Sequence, residues 1–265
     1  MSVRRQLQLV RWMTYALVVA AALAAGRRGG LILAWVTVFV CLLVLRPFQR
    51  FANRLVARRA FVRLYALMTD ASFGEAHRLV AELRGVYARS ASGIELMRMH
   101  EGTLLVLQGR FADARRILES IDRRHIRKPL LPALLNNLAW SLVQTGDGAR
   151  AVAIVRESME TVAVDAAPEH IDDLRSCQLG TLGAALVVAG EPSEAIDPLE
   201  QAYARGGTPH HQCARAFYLG EAFHALGRQD EARGAWERAA AACSTDAFGV
   251  RARERLEAPA PPYRS

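Results

Sequence analysis

Two small groups of polar side chains in the C-terminal third of the chain have the donor atoms that metal sites use. Glu221 and His224 are three residues apart, so a helix would place both on one face, and His210, His211 and Cys213 lie together near a predicted helix start. Carboxylate, imidazole and thiolate groups can bind transition metals. A site needs further ligands, however, and no matching group recurs in the sequence. We therefore predict no metal.

Motifs for other chemistry are also lacking. The sequence has no phosphate-binding GxxxxGK[ST] loop, no dinucleotide-binding GxGxxG after a strand, no HExxH zinc motif and no GxSxG nucleophile elbow. The four cysteines show no paired or zinc-type spacing, which agrees with a reducing compartment. The sequence thus predicts no catalytic residue and no cofactor, and we expect a protein that is not an enzyme.

The positive charge of the chain is concentrated at its N-terminal end. The 265 residues carry a formal net charge of +8, but residues 1–63 contain eleven arginines and no acidic residue, which leaves −3 (8 − 11) on the rest. Basic residues interleaved with apolar runs are typical of a membrane-inserting terminus and not of a surface that binds nucleic acid. We expect no nucleic-acid partner.

Two charge-free apolar runs, residues 12–26 and 31–45, flank the short turn RRGG. They predict a two-helix transmembrane hairpin in residues 1–46, with helices over about 9–25 and 31–45. Each run would span roughly 22 Å as a helix, less than the ~30 Å hydrocarbon core. The hairpin therefore requires Arg11 to extend toward the headgroups or the bilayer to thin locally. A cleaved signal peptide with a single anchor, or a buried soluble hairpin, are the alternatives.

The arginines also predict the orientation of this hairpin. Eight arginines flank the apolar runs on the outside, whereas only Arg27 and Arg28 lie in the turn. The excess places both termini on the cytoplasmic side of an inner membrane. Among the 34 basic residues there is a single lysine, Lys128, a bias that indicates a bacterial protein.

A repeated unit accounts for most of the remaining chain. A turn residue is followed five positions later by an alanine and preceded seven positions earlier by a small or apolar residue. The alanines are spaced by 38, 37, 44 and 37 residues and are Ala76, Ala114, Ala151, Ala195 and Ala232. Four of the five turn positions are glycines, namely Gly109, Gly146, Gly190 and Gly227. This pattern predicts tandem helical hairpins in which small side chains allow close approach and the turn glycine adopts a left-handed conformation.

The pattern resembles the tetratricopeptide repeat (TPR) family over about residues 57–240. It is clearest in the second unit, with Gly102, Gly109, Phe111 and Ala114. The early tryptophan and the closing proline of the family are missing, and the spacing exceeds the usual 34 residues, so the repeats are degenerate. A generic alanine-rich α-solenoid is the alternative.

The predicted fold is therefore all-α. An α-solenoid of about five TPR-like hairpins with a C-terminal capping helix occupies residues 47–257, and the transmembrane hairpin precedes it. Residues 258–265 (APAPPYRS) are predicted to be a disordered tail.

The resemblance implies that the first helix of each hairpin lines a groove for a protein or peptide partner. Asparagine side chains such as Asn136 can hold the backbone of an extended peptide. The lysine and arginine set that binds a terminal carboxylate in chaperone-binding members is absent at matching positions. Burial against a following helix is the alternative for Trp140 and Phe217. By register, the candidate groove residues are Met99, Thr103, Asn136, Trp140, Gln144, Gly180, Ala184, Phe217, Glu221 and His224.

Two functions follow from this reading. The first is a non-enzymatic, membrane-anchored TPR scaffold or adaptor that binds a protein partner at the cytoplasmic membrane face. The second is an accessory or regulatory subunit of an integral membrane enzyme or transporter, which the transmembrane hairpin would contact.

Overall fold

The computed structural model of the protein describes residues 2–165 and 168–257, and these residues form helices without strands, as predicted. The predicted tail at 258–265 lies outside the described residues. The chain divides into two compact units, Met1–Met97 and Arg98–Ser265. The helices are α1 Val3–Thr69, α2 Phe73–Tyr87, α3 Ala91–Leu107, α4 Phe111–Glu119, α5 Leu131–Gln144, α6 Gly148–Asp165, α7 Pro168–Val188, α8 Pro192–Ala204, α9 Pro209–Ala225, α10 Gln229–Ala242 and α11 Ala247–Glu257.

Helix α1 is interrupted at Gly30, in the predicted RRGG turn. The backbone of Gly30 has φ 75° and ψ −169°, a conformation that glycine adopts without steric cost. Beyond Gly30 the chain folds back. This is shown by one cleft that is lined both by Arg11 of the first arm (residues 3–29) and by Asn53 of the second arm (residues 31–69). Among the described residues one segment, Arg5–Arg27, is long and apolar enough to cross a membrane. The transmembrane character of the two-helix hairpin therefore stays a prediction.

The second arm does not end near residue 45 but continues through Pro47 to Thr69. Proline inside a helix removes one backbone hydrogen bond and usually ends or kinks the helix. Tertiary packing outweighs that local preference here, because Ala60, Leu64 and Met68 recur every four residues and are buried in the first unit.

Five helical hairpins occur at the predicted places: the end of α1 with α2, α3 with α4, α5 with α6, α7 with α8, and α9 with α10. Each turn contains a residue with positive φ, as predicted for the four glycines and found also at Ala71. The values are 53° at Ala71, 71° at Gly109, 81° at Gly146, 84° at Gly190 and 75° at Gly227. The left-handed conformation ends the first helix and directs the chain back along it.

The small residues of the first helices receive large side chains from the second helices. A Cβ atom built on Gly102 would lie 2.4 Å from Leu118, one on Gly183 2.3 Å from Leu199, and one on Gly220 2.3 Å from Trp236. Each large residue lies four positions after a repeat alanine, and all five alanines are fully buried. The two helices of these hairpins can therefore approach closely, because the glycine on the first helix has no Cβ atom to hold the second helix away.

Within the second unit the hairpins pack in chain order. The odd-numbered helices α5, α7 and α9 contact one another in sequence, α8 packs on α9, and one hydrophobic core extends from Met99 to Ala252. Such an array has its core between neighbouring hairpins. At its end, Oδ1 of Asp246 accepts a hydrogen bond from the N–H of Phe248 at 2.9 Å and caps α11, the predicted final helix.

Candidate functional site

In the first part of the predicted groove, side-chain hydrogen bonds connect α3 to α5. The side-chain amide of Asn137 donates to Oγ of Thr103 at 3.0 Å, and the Thr103 hydroxyl donates to the backbone oxygen of Met99 at 2.9 Å. Thr103 and Asn136 are half-buried, whereas Met99 is buried and belongs to the core. Oδ1 of Asn136 is buried and has no hydrogen-bond partner. An orphan acceptor of this kind is costly unless a donor reaches it.

A polar and aromatic bridge connects α5 to α9. Gln144 donates from Nε2 to the Tyr218 hydroxyl at 2.9 Å, and the Trp140 ring meets the Tyr218 ring nearly edge-on, with centroids 6.0 Å apart. Helix α7 packs against both α5 and α9. Its predicted groove residues face elsewhere: Ala184 is fully buried, and a Cβ on Gly180 would lie 3.1 Å from Nε of Arg215. Gly180 and Ala184 are therefore not part of the groove surface, which between α5 and α9 is formed by the bridge residues.

The final helix, α11, covers the α9 part of the predicted groove. Phe248 of α11 lies 5.8 Å from the rings of Trp140, Phe217 and Tyr218. The guanidinium of Arg251 lies 4.3 Å from the Phe217 ring centroid, a cation–π contact. These contacts leave Phe217 only 1% exposed.

A buried ion pair completes this contact. Arg255 of α11 donates from Nε to Oε1 of Glu221 at 2.9 Å and from Nη2 to Oε2 at 2.7 Å. The Glu221 side chain is 2% exposed, so the bidentate pair lies largely away from water. His224, one turn further along α9, is also buried, with Nδ1 3.2 Å from Oε1 of Gln229 and its ring 5.4 Å from that of Trp236.

Apart from Met99, Gly180 and Ala184, the predicted groove residues fall into two sets. Thr103, Asn136, Trp140 and Gln144 lie half-buried on α3 and α5. Phe217, Glu221 and His224 were expected on an open groove, but protein side chains cover them here. For Phe217 the covering helix is the alternative that the sequence left open.

The two histidine groups do not form a metal centre in the described residues. Nδ1 of His210 lies 2.5 Å from Oδ2 of Asp246, which fixes His210 at the start of α11. Burial and, to a smaller extent, the nearby positive charge of Arg215 lower the pKa of His211 to about 4. Burial raises the pKa of the Cys213 thiol to about 12, which keeps this cysteine protonated. No group of three His, Cys, Asp or Glu side chains in the described ranges could hold a metal ion.

Sequence reasoning missed Tyr218 and the inner face of α11. Tyr218 follows Phe217 directly, and the repeat register assigned only Phe217 to the groove. The sequence predicted a C-terminal capping helix, but nothing local indicated that Phe248, at the first turn of α11, would reach Trp140 of a helix more than 100 residues earlier in the chain.

Comparison with known proteins agrees with this architecture. Residues 98–120, 132–157 and 214–238 match the sequence profile of the tetratricopeptide repeat. These segments are the second, third and fifth hairpins, so the predicted family resemblance is confirmed. No curated protein matches the chain.

A solved structure at 21% identity has a similar fold. TPR-like repeats of a kinesin light chain candidate from Podosopora anserina align with a TM-score of 0.50 and 21% identity, covering 70% of this chain and 93% of that one. The structure of BtubC (BKLC) from P. vanneervenii aligns with a TM-score of 0.49 and 17% identity, covering 100% of this chain and 96% of that one.

Proposed function

We propose that this degenerate tetratricopeptide-repeat protein is a non-enzymatic scaffold, anchored in the cytoplasmic membrane, that binds a protein partner on its repeat surface. Helical repeat arrays of this kind usually present extended surfaces for protein partners. The half-buried polar and aromatic surface of α3 and α5 is the single observation that carries the proposal.

The exposure of the N-terminal apolar residues supports the anchor. Trp12 is 70% exposed and Ile32 is 81% exposed, and large apolar side chains on both arms of α1 share this property. A core helix would bury such residues, whereas a lipid-facing helix would leave them on the protein surface. The arms therefore fit a membrane hairpin with both termini in the cytoplasm, as the arginine distribution predicts.

Cysteine labelling in intact cells tests this topology. A cysteine introduced as Arg27→Cys near the turn should react with a reagent that cannot cross the membrane. The matched variant Arg233→Cys on α10 should react only after the membrane is opened, and the native chain gives the background of its own four cysteines. Equal labelling of both variants in intact cells would contradict the orientation.

Partner binding is proposed for Thr103, Asn136, Trp140 and Gln144. Amide and hydroxyl groups beside the half-buried ring of Trp140 suit a peptide backbone, because such side chains can both donate hydrogen bonds to backbone groups and accept them. Met99, Phe217, Glu221 and His224 would support this surface from below or through α11.

Site-specific photo-crosslinking in native membranes tests the binding surface. A photoreactive residue at Thr103 should capture a defined protein, whereas the same residue at the exposed Glu237 of α10 should not. Capture of the same proteins at both positions would argue against the groove.

An accessory role in a membrane complex is the second candidate. It is favoured by exposed apolar residues on the second arm beyond the apolar run, where Phe51 is 64% and Val62 63% exposed. Their spacing of eleven residues places them on one helix face, next to Arg58. If this role is correct, Phe51→Asp should release a co-purifying membrane protein while Thr103 variants retain it.

A further inference from the structure

An exposed stripe of large side chains runs along the second arm of α1, beyond the predicted membrane segment. Its members are spaced alternately by four and three residues, the heptad spacing of a coiled-coil seam, and all five are exposed: Phe51, Leu55, Arg58, Val62 and Tyr65. Ala60, two residues from both Arg58 and Val62, is buried on the opposite side of the helix. The arm therefore packs into the first unit with one face and leaves this stripe, which we call the seam, uncovered.

The charged groups in and beside the seam are all basic. Arg58 occupies the middle one of the five seam positions, and Arg54 and Arg59 lie at the flanking positions that form ion pairs between the helices of coiled coils. Residues 1–69 contain no acidic side chain. In the part of the chain that the structure describes, none of these three guanidinium groups pairs with a carboxylate. The seam thus combines apolar surface with positive charge that has no internal counterpart.

We propose that the seam binds an acidic amphipathic helix of a partner protein, in the manner of a two-stranded coiled coil. The partner's own seam is apolar except for one Asp or Glu that meets Arg58, and further acidic residues lie opposite Arg54 and Arg59. One charged pair in an apolar seam fixes the register, because a shifted alignment would bury the arginine without a carboxylate. This inference rests on the membrane anchor of the proposed function and names the chemistry of the partner in its second candidate.

The geometry of the arm argues against the lipid bilayer as the occupant. The backbone of residues 31–69 is helical throughout, including Pro47. At 1.5 Å per residue, Val62 lies about 25 Å along the helix from Leu45, where the second apolar run ends. The headgroup region on one side of a bilayer is only about 5–8 Å thick. A helix that continues out of the membrane in line with its spanning part therefore carries Val62 past the headgroups.

The distribution of charge argues against a second copy of the same arm. Two seams brought together would place six guanidinium groups near one another, and neither helix has a carboxylate to offset them. Like charges that face each other across an interface are unfavourable, whereas an acidic helix supplies a carboxylate to each arginine. Charge complementarity therefore favours an acidic partner helix.

Site-specific photo-crosslinking in native membranes identifies the occupant. A photoreactive residue at Val62 should capture one protein segment, in which mass spectrometry shows an Asp or Glu flanked by apolar residues at heptad spacing. The matched control is the same residue at Arg63, whose replacement removes an exposed ion pair with Glu75 that contributes little to stability. The yield at Arg63 should be about tenfold lower, because neighbouring side chains on a helix point about 100° apart. An adduct with lipid or with a second copy, equal yields at both positions, or no protein adduct at Val62 would overturn the proposal.

Charge reversal tests the acidic chemistry of the partner. Arg58→Glu should lower the crosslinking yield at Val62 by about tenfold or more, because it brings one carboxylate against another. Reversal of the acidic residue in the captured segment to arginine should restore the yield. The control Arg63→Glu makes the same change in charge outside the seam and should leave the yield unchanged. Equal effects of the two reversals, or no rescue of an Arg58→Glu chain that circular dichroism shows to be folded, would contradict the proposed pairing.

Two readouts separate this inference from the proposed function. Capture at Val62 with no protein captured at Thr103 would count against the repeat surface and leave the seam supported. Capture at Thr103 with none at Val62 would overturn the seam and leave the scaffold supported. Release of the chain from membranes by alkaline carbonate would refute the anchor, whereas capture of an acidic helix at Val62 is measured independently.

Discussion

The two helices of a hairpin pack closely where the first helix has glycine, and this can be tested at Gly220. A Cβ atom at Gly220 would lie 2.3 Å from both Cδ1 and Nε1 of Trp236. Carbon atoms in contact prefer separations of about 3.5–4.0 Å, so Gly220→Ala forces the indole ring to move by more than ~1 Å. Trp236 is 2% exposed and its ring lies 5.4 Å from that of His224, which restricts this movement.

The net effect combines two opposing terms. Alanine gains about 1 kcal/mol over glycine in helix propensity, but overpacking a well-packed core costs about 1–3 kcal/mol. The control Gly234→Ala on α10 has the same propensity gain, and its Cβ would meet only Nη1 of Arg238 at 3.8 Å. We expect Gly234→Ala to stabilise the protein by about 0.5–1 kcal/mol. Gly220→Ala should be less stable than Gly234→Ala by about 1–3 kcal/mol.

A double-mutant cycle identifies the cause of that difference. The third hairpin has Ala139 where the fifth has Gly220, and it has Val155 where the fifth has Trp236. Trp236→Val in the Gly220→Ala background should therefore cost less than in the native chain, with a coupling energy of about 0.5–3 kcal/mol. Urea unfolding of the full chain in mild detergent, followed by circular dichroism, measures all four species. Equal stability of Gly220→Ala and Gly234→Ala, or additive effects in the cycle, would refute the packing argument.

Three further substitutions test other parts of the fold. Arg215→Lys should lower the free energy of unfolding by about 2–4 kcal/mol. The buried guanidinium of Arg215 donates to the backbone oxygens of residues 176, 202 and 206, and one ammonium group cannot reach all three. The control Arg233→Lys on the surface should leave the free energy of unfolding unchanged in the same assay. Ala71→Gly should raise the free energy of unfolding by about 1 kcal/mol, because Ala71 has φ 53° and glycine has no steric penalty there; no change would mean that this turn is unstrained. Burial lowers the pKa of His100 from 6.5 to about 4, so the unfolded chain binds a proton at a higher pH than the folded chain does. The free energy of unfolding should therefore be highest above pH 6.5 and fall by up to about 3 kcal/mol as the pH drops to 4. His100→Gln should remove this pH dependence in denaturation measured at each pH.

The repeated features could be predicted because each depends on residues close together in the chain. The turn glycines report a backbone conformation that other residues rarely adopt, and the buried alanines report close contact of two helices that are adjacent in sequence. Five hairpins and their turns follow from these signals. The profile matches omit the fourth hairpin, where Ala195 follows Ala151 by 44 residues, yet the turn at Gly190 has the same conformation as the others.

The remaining features depend on contacts between distant parts of the chain. The second arm of α1 continues through Pro47 because a buried face further along fixes it as a helix, and local propensity predicts the opposite. The bridge from Gln144 to Tyr218 joins residues 74 positions apart, and α11 reaches back to Trp140. Such contacts could not be predicted from a periodic sequence pattern, because each of them occurs only once and joins residues far apart in the chain.

These long-range contacts also limit the surface that a partner can use. A repeat groove that was open along its whole length would bind an extended segment by many similar contacts. Here the bridge between α5 and α9 and the cover of α11 leave α3 and α5 as the accessible part. If the proposed function is correct, a partner should therefore bind through α3 and α5, and substitutions on α7 should leave its affinity unchanged.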